Sequence, residues 1–423
     1  MIVELISVGT EILMGNIVNT NSAYLAEQCA GLGFSLYYMT TVGDNEERLL
    51  QTIKTAKERS DIVILSGGLG PTMDDMTKEM VAKACGLELV EDEDCKQHIK
   101  EYFEKRKLHH EITENNWKQA QIPEGAIVLD NPNGTANGII VQAQQCHLIL
   151  LPGPPNELKP LFEQAVIPYL KTLQDASFYT AMIKISGIGE SYVEDKLSDL
   201  IQGQTNPTIA PYAKEGEVHI RVTAKGANEQ EAKQLVSPTV DEIRNRIGDA
   251  IFTEEEAVTL EQQVIALLEK HGLTLCTVES CTGGLLSGRL VNVVGASTVL
   301  KQGFVTYSNE AKQKLVNVKA ETLQQYGAVS HQTAKEMAVE GSRVSNCDVA
   351  ISITGIAGPD GGSKEKPVGL VYIGCCINDH VWTKEFRFTG NRSKIRESSV
   401  ANALTLLRYH ILEQYEGGFQ ADK

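Results

Sequence analysis

The residues best placed to do chemistry are Thr277-Val278-Glu279-Ser280-Cys281-Thr282-Gly283-Gly284. Ahead of them, residues 272–278 read as a short buried strand, apolar and β-branched; behind them, Leu285 to Val291 takes up a helical pattern. Ser280 therefore stands at a strand-to-helix corner. Such a corner lifts a hydroxyl above the sheet, and the glycines let the N–H groups of the first helical turn face one small volume, where an oxyanion could be held. A serine N-cap before a tight glycine turn gives the same string of residues. Cys281 is the rival nucleophile, because a thiolate is intrinsically more reactive.

Two later runs supply the partners that a nucleophile needs. Residues 302–312 read as a strand, then polar residues, then a helix start carrying Lys312; residues 351–362 read as a strand followed by a glycine-rich loop. Three strand ends followed by small or polar residues are what an α/β sheet uses to build one crevice at its carboxyl edge. In the first third, strand signals at Val3 to Val8, Ser35 to Val42, Ile62 to Ser66 and His147 to Leu151 alternate with helical stretches at residues 19–31 and 46–58. That alternation predicts a parallel sheet with helices on both faces. The loop after its third strand carries Gly67, Gly68, Gly70, Pro71, Thr72, Asp74, Asp75 and Thr77. Glycines allow close backbone approach to a phosphate, and adjacent aspartates offer hard oxygen ligands to a divalent cation. A plain turn followed by a helix cap would use the same residue types.

Length and charge set the outer bounds. A chain of 423 residues predicts two or three domains, each with its own core. A formal charge of −16 opposes non-specific attraction to nucleic acid or an anionic membrane surface. The chain opens directly on a strand, no long apolar run follows, and its nine cysteines show no C-x-x-C spacing, which together predict a cytoplasmic protein with reduced thiols. Cys375 and Cys376 read as strand neighbours facing opposite ways.

Residues 91–94 form an acidic run before a polar, amphipathic helix or helix pair spanning 96–118, read as a solvated cover over the first site. His109 and His110 are given no role, because adjacent residues on a helix face different ways. Residues 171–250 alternate strand, helix, strand and long helix, a small α+β unit, with Gln202 to Pro207 as an internal connection.

The runs 279–284, 303–312 and 355–362 resemble the C-terminal domain of CinA proteins, a family of nicotinamide mononucleotide (NMN) amidohydrolases. Gly9-Thr10-Glu11, Asn19-Thr20-Asn21, Gly43-Asp44, the glycine loop through Thr77, residues 133–136 and residues 151–157 resemble the molybdopterin-binding fold at the N-terminus of the same family. The middle unit, with Gly187-Ile188-Gly189-Glu190 before a helix, resembles their KH-like module. Its loop lacks the basic pair that commonly touches a phosphate backbone, so a spacer or dimer contact is expected instead of strong nucleic-acid binding.

The resemblance implies an α/β chain in three parts: a three-layer molybdopterin-binding-like domain over 1–170, a KH-like domain over 171–252 and an α/β amidohydrolase domain over 253–423. It implies hydrolysis of NMN to nicotinate mononucleotide and ammonia. Ser280 would be nucleophile, Lys312 base and then acid, and the amides near Thr282 and Gly283 the oxyanion site, with Tyr307 and Asn309 orienting the dyad or the substrate. Lys312 can serve only if burial or a nearby cation lowers its pKa. His331, at a helix start, is expected to cap. Thr354, Gly355 and Gly358 would close over the ribose or base, and Arg392 would take the 5′-phosphate. Asn391 departs from the aspartate more usual there, and Val278 from an alanine.

For the first domain the resemblance implies a metal-dependent ADP-ribose pyrophosphatase. Asn21, Gly67, Gly68, Gly70, Thr72 and Thr77 would face the substrate, and Asp74, Asp75 and Asp44 would bind Mg, Mn or Co. A pterin-binding domain and a non-catalytic competence or DNA-damage protein are the alternatives, and a homodimer is expected. The amidase is expected to need no cofactor.

Overall fold

The computed structural model describes residues 1–106, 112–143, 145–174 and 176–418. His109 and His110 lie outside them. The chain separates into two compact units, Met1–Tyr179 with Thr223–Gln234, and Thr180–Val222 with Leu235–Lys423.

In the first unit β1 (Ile2–Val8), β2 (Ser35–Val42) and β3 (Ile62–Ser66) form where the apolar, β-branched runs predict them. Next, β4 (Leu89–Glu91) and β5 (Gln121–Pro123) pair antiparallel as a small separate sheet. The main sheet is completed by β6 (Ile127–Leu129), β7 (Gly138–Ala143) and β8 (Cys146–Leu151), in the order β2-β1-β3-β8-β7-β6. It is not wholly parallel as the alternation suggested: β7 runs antiparallel to β8 and to β6. Only two residues separate β7 from β8, too few for the crossover that a parallel pair requires. Alternate residues of the sheet feed two different cores. Ile6, Val8, Val63, Leu65, Leu148 and Leu150 face one, with Leu49 and Ile53 from the helix Glu46–Arg59. Val3, Leu5, Ile62, Ile64, Ile149 and Leu151 face the other, with Leu25 from the helix Thr20–Gly31. Burial on both faces makes the three layers.

The middle segment holds β9 (Ser177–Ser186), β10 (Thr208–Lys214), β11 (Glu217–Gly226) and β12 (Ile251–Thr253), in the order β10-β11-β9-β12. Neither β10 nor β12 is evident from the sequence pattern, β10 being mostly exposed and interrupted by Pro211. Arg408 on the C-terminal helix Arg392–Tyr415 donates to the carbonyls of Asp249 and Ile251, each at 2.7 Å. Tyr409 donates to the carbonyl of Ser186. A side chain at Gly187 would come within 2.2 Å of that same Tyr409 hydroxyl, so the KH-like glycine loop is packed against the helix at this residue.

The last sheet contains β13 (Leu275–Glu279), β14 (Leu300–Val305), β15 (Val349–Gly355), β16 (Leu370–Ile377) and β17 (His380–Arg387), ordered β14-β13-β15-β16-β17. β13 starts three residues later than expected, because Gly272 at φ +64° first closes the helix Leu260–Lys270. The first three strands are mutually parallel and in step, Glu279 pairing with both Val305 and Ile353. Their carboxyl ends therefore meet at one edge, which places Ser280, Thr306 and Thr354 side by side. Cys375 enters the large apolar core and Cys376 the smaller one on the other face, as their adjacency predicts. All nine cysteines are free thiols. Among the described residues no helix is long and apolar enough to cross a membrane.

Candidate active site

Ser280 follows the last residue of the central strand and is 7% exposed. Its amide donates to the Ile353 carbonyl at 2.9 Å, which ties the corner to β15. Gly283 and Gly284 then adopt φ of +61° and +93°, a left-handed pair that turns the chain back into the helix Leu285–Val291. The N–H groups of this turn are largely committed. Gly283 donates to the Ser280 carbonyl at 3.1 Å, and Leu285 to that of Thr282 at 3.3 Å. Those of Gly284, Leu286 and Ser287 go to the Glu279 carboxylate. The expected oxyanion contribution of the Gly283 amide is thus taken, leaving those of Cys281 and Thr282 as the uncommitted donors of the turn among the described residues. The Thr282 hydroxyl is buried and without a hydrogen-bond partner.

Lys312 lies on the helix Asn309–Val316, which begins at Ser308, whose hydroxyl accepts from the Ala311 amide at 3.1 Å. One turn in, the Lys312 side chain is 1% exposed. Its Nζ donates to Ser280 Oγ at 2.9 Å and to the Thr306 carbonyl at 2.7 Å. Burial pushes its pKa down to about 8. The lysine is thus deprotonated in a usable fraction near neutral pH, within hydrogen-bond reach of the hydroxyl it would activate. Cys281 is pushed the other way, up to about 11 by burial, so it remains a thiol at neutral pH. The geometry favours Ser280 over its neighbour.

The remaining predicted groups surround this pair unevenly. Thr354, at the end of β15, donates its hydroxyl to the Ala328 carbonyl at 2.7 Å. Gly355 is required by packing, since a Cβ there would lie 2.6 Å from a Val371 methyl. Arg392 spans two loops, donating to the Gly358 carbonyl at 2.7 Å and to the Tyr307 hydroxyl at 3.1 Å. Tyr307 is thus exposed and joined to Arg392; neither it nor Asn309 hydrogen-bonds Ser280 or Lys312 among the described residues. Asn391 caps the C-terminal helix by accepting from the Lys394 amide at 2.9 Å, a task aspartate performs equally well. His331 lies one residue inside its helix; Ser330 is the cap. Val278 is fully buried, and a Cβ on Gly341 would meet its side chain at 2.4 Å, so the valine is matched by a glycine opposite. Sequence reasoning missed Arg396, whose guanidinium donates to the Thr282 carbonyl at 2.5 Å. Its signal was the four-residue spacing from Arg392, which puts both on one helix face.

In the first unit a cavity of about 720 Å³ gathers Asn21, Asp44, Gly67, Gly68, Gly70, Asp74 and Asp75, together with Gln119 and Glu157, which were not foreseen. Thr72 and Thr77 act on the loop itself. The Thr72 hydroxyl donates to Asp74 at 2.5 Å and to Asp75 at 2.6 Å; that of Thr77 donates to the Gly67 carbonyl at 2.8 Å. The hydrogen bond from the Thr72 hydroxyl holds the Asp74 carboxyl below its ordinary pKa. Asp44 accepts from the amide and hydroxyl of Thr10, at 2.9 and 2.8 Å. Among the described residues no three acidic, histidine or cysteine groups converge at metal-ligand spacing. Asp74 and Asp75 offer adjacent hard oxygen donors, too few to cage a cation by protein alone.

Comparisons with known proteins match three family domains along the chain. Residues 4–172 match the model of a probable molybdopterin binding domain, 180–253 that of the damage-inducible protein CinA KH domain, and 257–411 that of the CinA C-terminal domain. A CinA-like protein of Dictyoglomus turgidum is 50% identical over 409 residues, covering 97% of this chain and 99% of its own. A CinA-like protein of Kosmotoga olearia is 49% identical over 409 residues, covering 97% and 98%. Among solved structures, a competence/damage inducible protein from Agrobacterium tumefaciens is 45% identical, covering 35% of this chain and 91% of its own, with a TM-score of 0.35. With all three domain models in order and near-full-length relatives at about half identity, this chain belongs to the CinA family.

Proposed function

We propose that the C-terminal domain hydrolyses the carboxamide of NMN, and that the N-terminal cavity hydrolyses the diphosphate of ADP-ribose. The observation that carries the first reading is the 2.9 Å contact between Lys312 Nζ and Ser280 Oγ, made by a buried lysine whose pKa is lowered. Neutral Lys312 accepts the Ser280 proton while its own N–H stays on the Thr306 carbonyl. The freed oxygen attacks the amide carbon, giving a tetrahedral oxyanion that faces the amides of Cys281 and Thr282. The lysine returns the proton to the departing nitrogen, releasing ammonia and leaving an ester on Ser280. Water, deprotonated by the same lysine, then cleaves the ester to nicotinate mononucleotide and regenerates the serine. Arg392 and Arg396, on one face of the C-terminal helix, supply positive charge suited to the 5′-phosphate.

The second reading rests on the glycine loop and the paired aspartates in one cavity. Asp74 and Asp75 would hold a divalent cation such as Mg, Mn or Co, with Asp44 lining the same cavity, and that cation when bound would offset diphosphate charge. The chain's own part is to orient Asp74 through the Thr72 hydroxyl and to bring the backbone at Gly67, Gly68 and Gly70 close to the phosphates.

Incubation of the full chain with NMN and with ADP-ribose separately, with and without chelator, tests both. The expected result is ammonia from NMN regardless of chelator, and AMP from ADP-ribose only with metal. Absence of either product removes the corresponding reading, and turnover of neither favours a non-catalytic binding role.

A further inference from the structure

We infer that Glu279 is a positioning residue that holds the nucleophile turn against the lysine-bearing segment. This rests on the amidase reading above and adds a part to it. Glu279 is fully buried at the end of the central strand, where a carboxylate is costly unless its oxygens are satisfied. They are: Oε2 accepts from the Gly284 amide at 3.1 Å and the Leu286 amide at 3.0 Å. Oε1 accepts from the Ser287 amide at 2.9 Å and its hydroxyl at 2.7 Å. Among the described residues every partner of this carboxylate lies in the turn and helix start that follow Ser280. The carboxylate therefore clamps the chain five to eight residues beyond itself, with Ser280 to Gly283 as the loop between strand and clamp.

The backbone of Glu279 reaches the other half of the dyad. Its carbonyl accepts from the Thr306 amide at 2.7 Å and from the Thr306 hydroxyl at 3.3 Å, and the Thr306 carbonyl is where Lys312 Nζ is anchored. One residue thus braces both sides of the Ser280–Lys312 contact. The negative charge also occupies the amides that open the helix, so that helix start is a structural clamp and the oxyanion donors lie earlier, at Cys281 and Thr282. Glutamine could not substitute: its NH₂ would face N–H donors where one carboxylate oxygen now accepts.

The test measures kcat and KM for NMN in the full-length parent, Glu279→Gln and Ser287→Ala. It also follows covalent labelling of Ser280 by a sulfonyl fluoride, by intact mass. For folded Glu279→Gln, kcat should fall at least about tenfold with KM within about twofold, and labelling should slow in step. For Ser287→Ala, which removes one of the four bonds, kcat should fall about threefold with KM unchanged. Full kcat and labelling in folded Glu279→Gln overturn the inference; if that variant does not fold, full kcat in Ser287→Ala does so. A parent that neither turns over NMN nor labels removes the amidase reading itself, a different outcome from a parent that does both beside an unaffected Glu279→Gln.

Discussion

At the residue scale, two adjacent side chains of similar size have opposite prospects because of what surrounds them. Ser280 meets a buried amine, whereas the Cys281 thiol is pushed up to about 11 by the same burial. Ser280→Ala should lower NMN turnover by roughly a thousandfold or more, and Cys281→Ala by no more than about threefold; steady-state ammonia release compares them. The lysine predicts a pH profile. Its folded pKa is depressed to about 8 from 10.5, so the active neutral form grows as pH rises, and kcat should climb between pH 6 and 9 before levelling. The same depression means that between those two values the unfolded chain binds more protons at this position, so its contribution to stability also rises with pH there. Lys312→Met should abolish turnover while leaving Tm equal to or above the parent's, since it removes a buried cation whose charged form is disfavoured. Calorimetry beside the activity assay checks both halves.

At the element scale, the site depends on a turn that only glycine enters comfortably. Gly284 has φ +93°, yet a Cβ there would meet nothing closer than a Val305 methyl at 3.6 Å. The obstacle is therefore backbone conformation and not space. Gly284→Ala should cost about 1–2 kcal/mol by denaturant unfolding. It should also lower kcat, because the clamp to Glu279 begins at this amide. A Gly284→Ala protein as stable as the parent would show that the turn has another conformation available. Helix and strand positions in this half were legible beforehand, since apolar periodicity is a local signal, whereas the cap expected at His331 falls on Ser330, one residue earlier. The antiparallel strands β7, β10, β12 and β17 were not, because pairing direction depends on connection length and on neighbours distant in sequence.

At the scale of the whole molecule, the two candidate sites lie in different compact units and draw on no common residue. The proposed activities should therefore separate. Asp74→Asn with Asp75→Asn should remove metal-dependent ADP-ribose hydrolysis and leave NMN turnover within about twofold, and Ser280→Ala should do the reverse. Loss of both activities in either protein would show that the units act as one.

The sequence alone determined which residues could react and the order of the elements that carry them, because nucleophile corners, glycine loops and caps are written in neighbouring residues. Tertiary structure decided which candidates meet. It joined Ser280 to Lys312 across 32 positions, paired Tyr307 with Arg392, brought Arg396 to the nucleophile turn and assigned the helix-start amides to Glu279. Those outcomes follow from strand register and burial, which bring distant segments to one sheet edge and shift a lysine's pKa, and neither quantity exists until the chain is folded.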